Sequence, residues 1–224
     1  MHSFFLLIHI AGGTVALLSG LLSLLSKKGS TWHIRFGLIF FYSMIIMAGM
    51  ASFLAAFSTR ESFNLIVGLF TIYLVLTSRQ AIVSKMGTIT VKEKITGIMG
   101  LIVFGSFLAL LIRAFQSGQS MIEGVYLEAY FVFTMFSCLA LVLDIKILAK
   151  GGVYGKHRTV RHVWRMLLAL FIATASAVYG QPQIFPDWIH SSEVLNVVVL
   201  LILISLLFWV VKIFVGKKYK RVSG

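Results

Sequence analysis

The sequence predicts an all-α fold: a polytopic transmembrane helical bundle of seven spans, with the N-terminus outside and the C-terminus in the cytoplasm. Three observations carry that expectation. Hydrophobic residues make up 59% of the chain and charged residues only 12%, with a mean hydropathy of +0.97. Soluble domains are about 45–50% apolar and about 25% charged, so this chain has too little polar surface to clothe a core in water. Seven stretches approach the roughly 20 apolar residues that cross a bilayer as a helix. Finally, lysines and arginines concentrate on alternate connections between those stretches.

The predicted spans cover residues 4–25, 36–57, 63–82, 95–115, 127–148, 163–179 and 194–215, in a single integral membrane domain of residues 1–224. The first is read as a retained helix and not a signal peptide. No Lys or Arg precedes it, Lys27 and Lys28 follow it, and the run exceeds a usual signal core. The sixth is the shortest, and its alanines give it modest hydropathy. The connection at 181–193 holds both prolines, Pro182 and Pro186, with Trp188 as an interface anchor. The other connections are too short for a soluble domain, so any function sits between helices or at their ends.

With the N-terminus outside, every one of the 20 basic residues except Arg60 and Arg113 falls on the cytoplasmic side. An even number of spans would break that segregation. The net charge of +13 would suggest nucleic acid in a soluble protein; here it marks the inner loops, and no nucleic-acid partner is expected. The lone Cys138 excludes an intramolecular disulfide and a thiolate metal site.

Helices in lipid associate where small residues let backbones approach. Gly12, Gly13 and Gly20 supply that in span one, and Ala48, Gly49, Ser52 and Ala56 in span two. Gly97, Gly100 and Gly105 do so in span four, and Ala169, Ala173, Ala177 and Gly180 in span six. The stretches SKKGSTWHIRFG and AKGGVYGKHRTVRHVWRM, after spans one and five, echo one another. They read either as a parallel repeat or as chance similarity of two short basic loops, the reading adopted.

Ionisable groups within a membrane each need a reason. His9 lies roughly 8 Å below the outer edge of span one, with His2 and His190 as its possible histidine partners. A hydrogen bond from His9 to a neighbouring helix is the expectation. His33 opens span two and His162 opens span six, both at the cytoplasmic edge. Two imidazoles at one depth on two helices suit bis-imidazole ligation of a haem, and equally a quinone headgroup, a lipid phosphate or a metal. Gly37, one turn from His33, would leave room for a flat ligand. Arg165 is expected at the rim, and Arg35, Arg158, Arg161 and Arg165 as partners for propionates. The plainer reading is that histidines and arginines at an inner edge follow the positive-inside bias alone. Asp144, the one carboxylate well inside a span, is expected to pair with Arg161 or Arg165; the alternative is a proton relay or a partner that orients His162. Phosphate loops, nucleophile elbows and HExxH are missing from the sequence.

The span-one pattern HIAGGTVALLSG, the KKGSTWHIRFG turn, Asp144 and the RHVWRM opening of span six together resemble a widespread family of bacterial multi-pass membrane proteins, catalogued as a domain of unknown function. The resemblance covers nearly the whole chain. It implies a shared bundle in the inner membrane and points to His9, His33, Arg35, Asp144, His162, Arg165 and Met166, but implies no activity. The family's turn has His followed directly by Arg; here Ile34 separates His33 from Arg35, so a role for that arginine does not carry over. A looser similarity to b-type cytochrome bundles is analogy. The sequence thus supports a membrane protein binding a cofactor, with haem b as the candidate. The alternatives are a small transporter or channel using Asp144 and His9, and a lipid-binding assembly factor without chemistry.

Overall fold

The computed structural model describes residues 2–58, 61–180, 185–190 and 193–216. Pro182, Arg60, the tail residues Lys217, Lys218, Lys220 and Arg221, and the side chains of His2 and His190 lie outside the described part.

In hydrocarbon, backbone groups find partners only within helices or closed barrels, and the seven apolar runs form helices. They are α1 (His2–Leu25), α2 (Thr31–Ala56), α3 (Ser62–Val83), α4 (Val91–Ser117), α5 (Leu127–Ala149) and α6 (Gly155–Gly180), then, after a short α7 (Asp187–His190), α8 (Val194–Val215). All but α7 are long and apolar enough to cross a membrane. This is the pattern of a multi-pass membrane protein. Residues such as Leu18, Ile39, Leu101, Phe131 and Leu207 are exposed on the outside of the bundle, a surface suited to lipid.

Three helices start well before the apolar onset that the sequence marks. α2 begins at Thr31 and not 36, because the backbone N–H of His33 donates to the Ser30 hydroxyl, 3.2 Å, and caps it. α4 begins at Val91 and not 95: the Thr90 N–H donates to the Glu93 carboxylate, 2.7 Å, and the Ser84 hydroxyl donates to the same carboxylate, 2.6 Å. α6 begins at Gly155 and not 163. Polar residues extend these helices past the apolar boundary, where hydropathy alone ends them.

The centre of the bundle is α3 packed on α6. Phe70, Tyr73, Leu74 and Val75 are buried from one side, and Leu168, Ala169 and Leu170 from the other. α1 and α2 pack together beside this pair, α4 and α5 pack together on its other side, and α8 lies on α6. The modest hydropathy of α6 now has a physical reason. A helix surrounded by protein need not dissolve in lipid, and its alanines serve close packing. Between α4 and α5 a two-stranded hairpin, β1 (Met121–Ile122) and β2 (Val125–Tyr126), turns through Glu123 and Gly124, both with positive φ. The Glu123 carboxylate accepts from the Ser62 N–H, 3.1 Å, which ties the hairpin to the start of α3.

The small-residue stripes divide. Ala48, Ala169 and Ala173 are buried contacts. Gly49, Gly105 and Gly180, expected in such contacts, face open space, because they lie on sides of α2, α4 and α6 that no neighbouring helix covers. The tightest contact falls instead on Gly68, outside any predicted stripe. A Cβ there would lie 2.1 Å from Ser52 Oγ and 2.8 Å from the Ala48 carbonyl oxygen. Ser52 also donates to the Leu65 carbonyl, 3.1 Å, across the same α2–α3 seam. Gly68→Ala is therefore expected to cost about 1–3 kcal/mol by overpacking, read as a lower thermal midpoint in detergent. Gly105→Ala is expected to leave that midpoint unchanged or raised, and equal shifts for the two would refute the assignment.

Candidate functional site

At the end of the bundle that carries the basic connections α1–α2, α3–α4 and α5–α6, the helix ends are held by cations. Lys28 Nζ donates to the carbonyls of Ser23 and Leu24, 3.2 and 2.5 Å, covering the last turn of α1. Burial pushes the Lys28 ammonium below its usual pKa. Arg158 donates to the carbonyls of Ala81, Ile82 and Ser84, at 2.8, 2.7 and 2.7 Å, covering the end of α3.

Between α1, α2, α3, α6 and α8 this end encloses a cavity of about 590 Å³, in the range of small-molecule and cofactor sites. Its walls are mainly apolar, with Phe40, Leu167, Leu170 and Trp209 among them. His33 and His162 both line it, as do Gly37 and Met166. The two histidines named by the sequence therefore share one space, although His162 lies two turns into α6 and not at its opening.

The two histidines are held in the same way. His33 Nδ1 lies 3.0 Å from the Ser23 carbonyl oxygen and 3.1 Å from Ser23 Oγ. His162 Nδ1 lies 3.0 Å from Ser78 Oγ and 3.4 Å from the Ser78 carbonyl oxygen. Ser78 Oγ in turn donates to the His162 carbonyl, 2.9 Å, and Ser23 Oγ to that of His33, 3.4 Å. A carbonyl only accepts, so the Nδ1 of each neutral imidazole carries the proton and Nε2 keeps its lone pair. Among the described residues neither Nε2 has a hydrogen-bond partner. Fixing Nδ1–H on a backbone or hydroxyl oxygen is how proteins present Nε2 as a ligand. The serines were not singled out in the sequence, where Ser23 and Ser78 read as ordinary span residues. One comes from α1 and the other from α3, so the likeness of the two clamps does not follow the loop echo after spans one and five.

The remaining residues separate from this cavity. Asp144 is buried and engaged on both oxygens. Oδ1 accepts from Arg161 Nη2, 3.0 Å, and from Arg165 Nη2, 2.6 Å. Oδ2 accepts from Arg165 Nη1, 3.2 Å, and from the Tyr73 hydroxyl, 2.6 Å. Both expected arginine partners are thus present together. Arg165 is 0% exposed and its guanidinium lies 5.2 and 5.1 Å from the rings of Tyr73 and Trp164. It does not stand at the rim of the cavity, because the carboxylate of Asp144 draws it to the side of α6 that faces α3 and α5. Arg161 is drawn to the same place. Arg35 lies against the Trp32 ring, 5.7 Å, and Arg158 is occupied by carbonyls. None of the four arginines expected for propionates lines the cavity. His9 is elsewhere: its Nδ1 donates to the Met47 carbonyl on α2, 2.8 Å, the neighbouring-helix bond expected of it.

Among the described residues the basic groups that do line the cavity, besides the histidines, are Lys28 and Arg79, and no Asp or Glu does. In the sequence Arg79 is one of the basic residues grouped on the cytoplasmic side, with nothing to set it apart. Among the described residues no three His, Cys, Asp or Glu side chains come together as an ion site. No protein-family model, curated protein or solved structure matches this chain.

Proposed function

We propose that this protein is a membrane cofactor-binding protein that holds a planar redox group, b-type haem foremost, between His33 and His162. One observation carries the reading: two imidazoles from separate helices line one apolar cavity, each with Nδ1–H tied to a serine. The donor set favours a porphyrin over a bare ion. A protein-bound transition metal usually takes three or four side-chain ligands, whereas haem iron brings four nitrogens and asks for two more. When bound, a haem would supply one-electron transfer. This chain's part is to ligate through His33 and His162, to hold the rings through Ser23 and Ser78, and to exclude water with Phe40, Leu167 and Leu170. Two of the three histidines that carry the bacterial-family resemblance, His33 and His162, line the cavity, and the third, His9, does not.

A quinone headgroup is the second reading. Ile34 and Val83 line the cavity and are also 54% and 64% exposed, so this edge of the cavity is open to an incoming ligand. Titrating the purified protein with haemin decides between the two. A low-spin, six-coordinate spectrum saturating at one haem per chain is expected, and its absence would reject the haem reading.

The orientation belongs to the same proposal: the basic end, with the cavity, faces the cytoplasm of a bacterial inner membrane. Reporter fusions at Lys28, Lys85 and Lys156 are expected to report cytoplasmic, and fusions at Ser120 and Asp187 external. A cytoplasmic report from Ser120 or Asp187 would reverse or break the seven-span topology.

A further inference from the structure

Arg79 presents a guanidinium with five N–H donors inside a bundle where unpaired charge is costly. Among the described residues it has no hydrogen-bond or ion-pair partner, and its Nη1 is buried without one. Only two aromatic faces touch its charge, Phe41 at 4.8 Å and Tyr42 at 5.7 Å. The charges of Arg161, Arg165 and Arg158 are met by acceptors. Arg161 and Arg165 each leave Nε without a partner, but the Asp144 carboxylate meets their charge, and Arg158 donates from Nε and Nη2 to three carbonyls.

Arg79 lines the histidine cavity, where Lys28 adds a second cation and, among the described residues, no carboxylate lining it offsets either. Lys28 is already spent on α1 carbonyls, so Arg79 is the cation with donors to spare. Arg79 and His162 line the same cavity, and Ser78, which holds His162, is the residue before Arg79 in the chain.

We infer that Arg79 is the receptor for an acidic group on the ligand of this cavity: the ligand is an apolar body with a carboxylate or phosphate at its edge, bound by a charge-assisted, fork-shaped contact. The inference rests on the reading of the cavity as a ligand site, but not on the ligand being haem. Haem propionates and acidic phospholipid headgroups offer the same chemistry.

The test uses the full-length protein in detergent with three probes: haemin, haemin dimethyl ester, whose propionates carry no charge, and a spin-labelled phosphatidylglycerol set against its phosphatidylcholine counterpart. Wild-type protein is expected to bind haemin about tenfold or more tightly than the ester, the scale of one hydrogen bond to a charged group. Arg79→Gln is expected to erase that preference while leaving affinity for the ester unchanged, which also shows that the variant is folded; Arg79→Lys is expected to restore part of it. If haemin and ester bind wild type equally, the acidic-group assignment is overturned and the haem reading stands. If neither porphyrin binds but phosphatidylglycerol is preferred in an Arg79-dependent way, the assignment stands with lipid as the source and the haem reading falls. If Arg79→Gln changes no preference for any probe, the inference is wrong.

Discussion

Asp144→Ala is expected to destabilise the bundle by about 3–5 kcal/mol, the cost of leaving a buried charge without its partner. The substitution strands two guanidinium groups and the Tyr73 hydroxyl, because all three donate to this one carboxylate. The arginines are not equal. Arg165 makes two contacts with the carboxylate and one with the Ala140 carbonyl, 3.0 Å, whereas Arg161 makes one contact with the carboxylate. Removing Arg161 leaves a neutral Asp144–Arg165 pair, so Arg161→Met is expected to cost less than Arg165→Met, and Arg165→Met less than Asp144→Ala. Asp144→Ala combined with either arginine substitution is expected to cost less than the sum of its parts. Thermal unfolding in detergent measures all five variants. Additive losses with both arginines would reject the three-way ion cluster.

His162→Ala and His33→Ala are each expected to abolish the six-coordinate haem spectrum entirely, and His9→Ala to leave it intact. The contrast follows from place. His33 and His162 line the cavity, while His9 is occupied by the Met47 carbonyl. Ser78→Ala removes the hydroxyl nearest His162 Nδ1 but keeps the imidazole, so the six-coordinate spectrum is expected to survive with affinity lowered about 10–100-fold, the usual effect of losing a group that orients a ligand. A structural role for Ser78 alone would lower thermal stability without moving haem affinity. Loss of the spectrum in His9→Ala but not in His162→Ala would move the site to the opposite end of the bundle.

The parts of this protein that were legible in the sequence are the ones set by the solvent. Apolar runs of about twenty residues have one stable form in hydrocarbon, so the seven long helices and their order follow from hydropathy. Asp144 and its arginines were legible for the same reason: a carboxylate among apolar neighbours must find a cation at its own depth. Even so, the sequence posed Arg161 and Arg165 as alternatives, because spacing along one helix does not show that both reach one carboxylate. The early starts of α2 and α4 depend on polar caps, and α6 runs through polar residues before its apolar part; hydropathy ignores both.

Which side of each helix meets which neighbour was decided only by tertiary packing. Gly68 and Gly49 are both glycines in apolar spans, yet one meets Ser52 and the other meets nothing within 4 Å; helix rotation, not composition, makes the difference. The sequence named His33 and His162 by type and depth. Their serine partners lie ten residues away in one case and on a distant helix in the other, and became visible only when α1 was packed against α2 and α3 against α6. Arg79 carried no distinguishing signal at all, since every basic residue at that end looks alike until its partners are known. The fold took acceptors to Arg158, Arg161 and Arg165 and, among the described residues, brought none to Arg79.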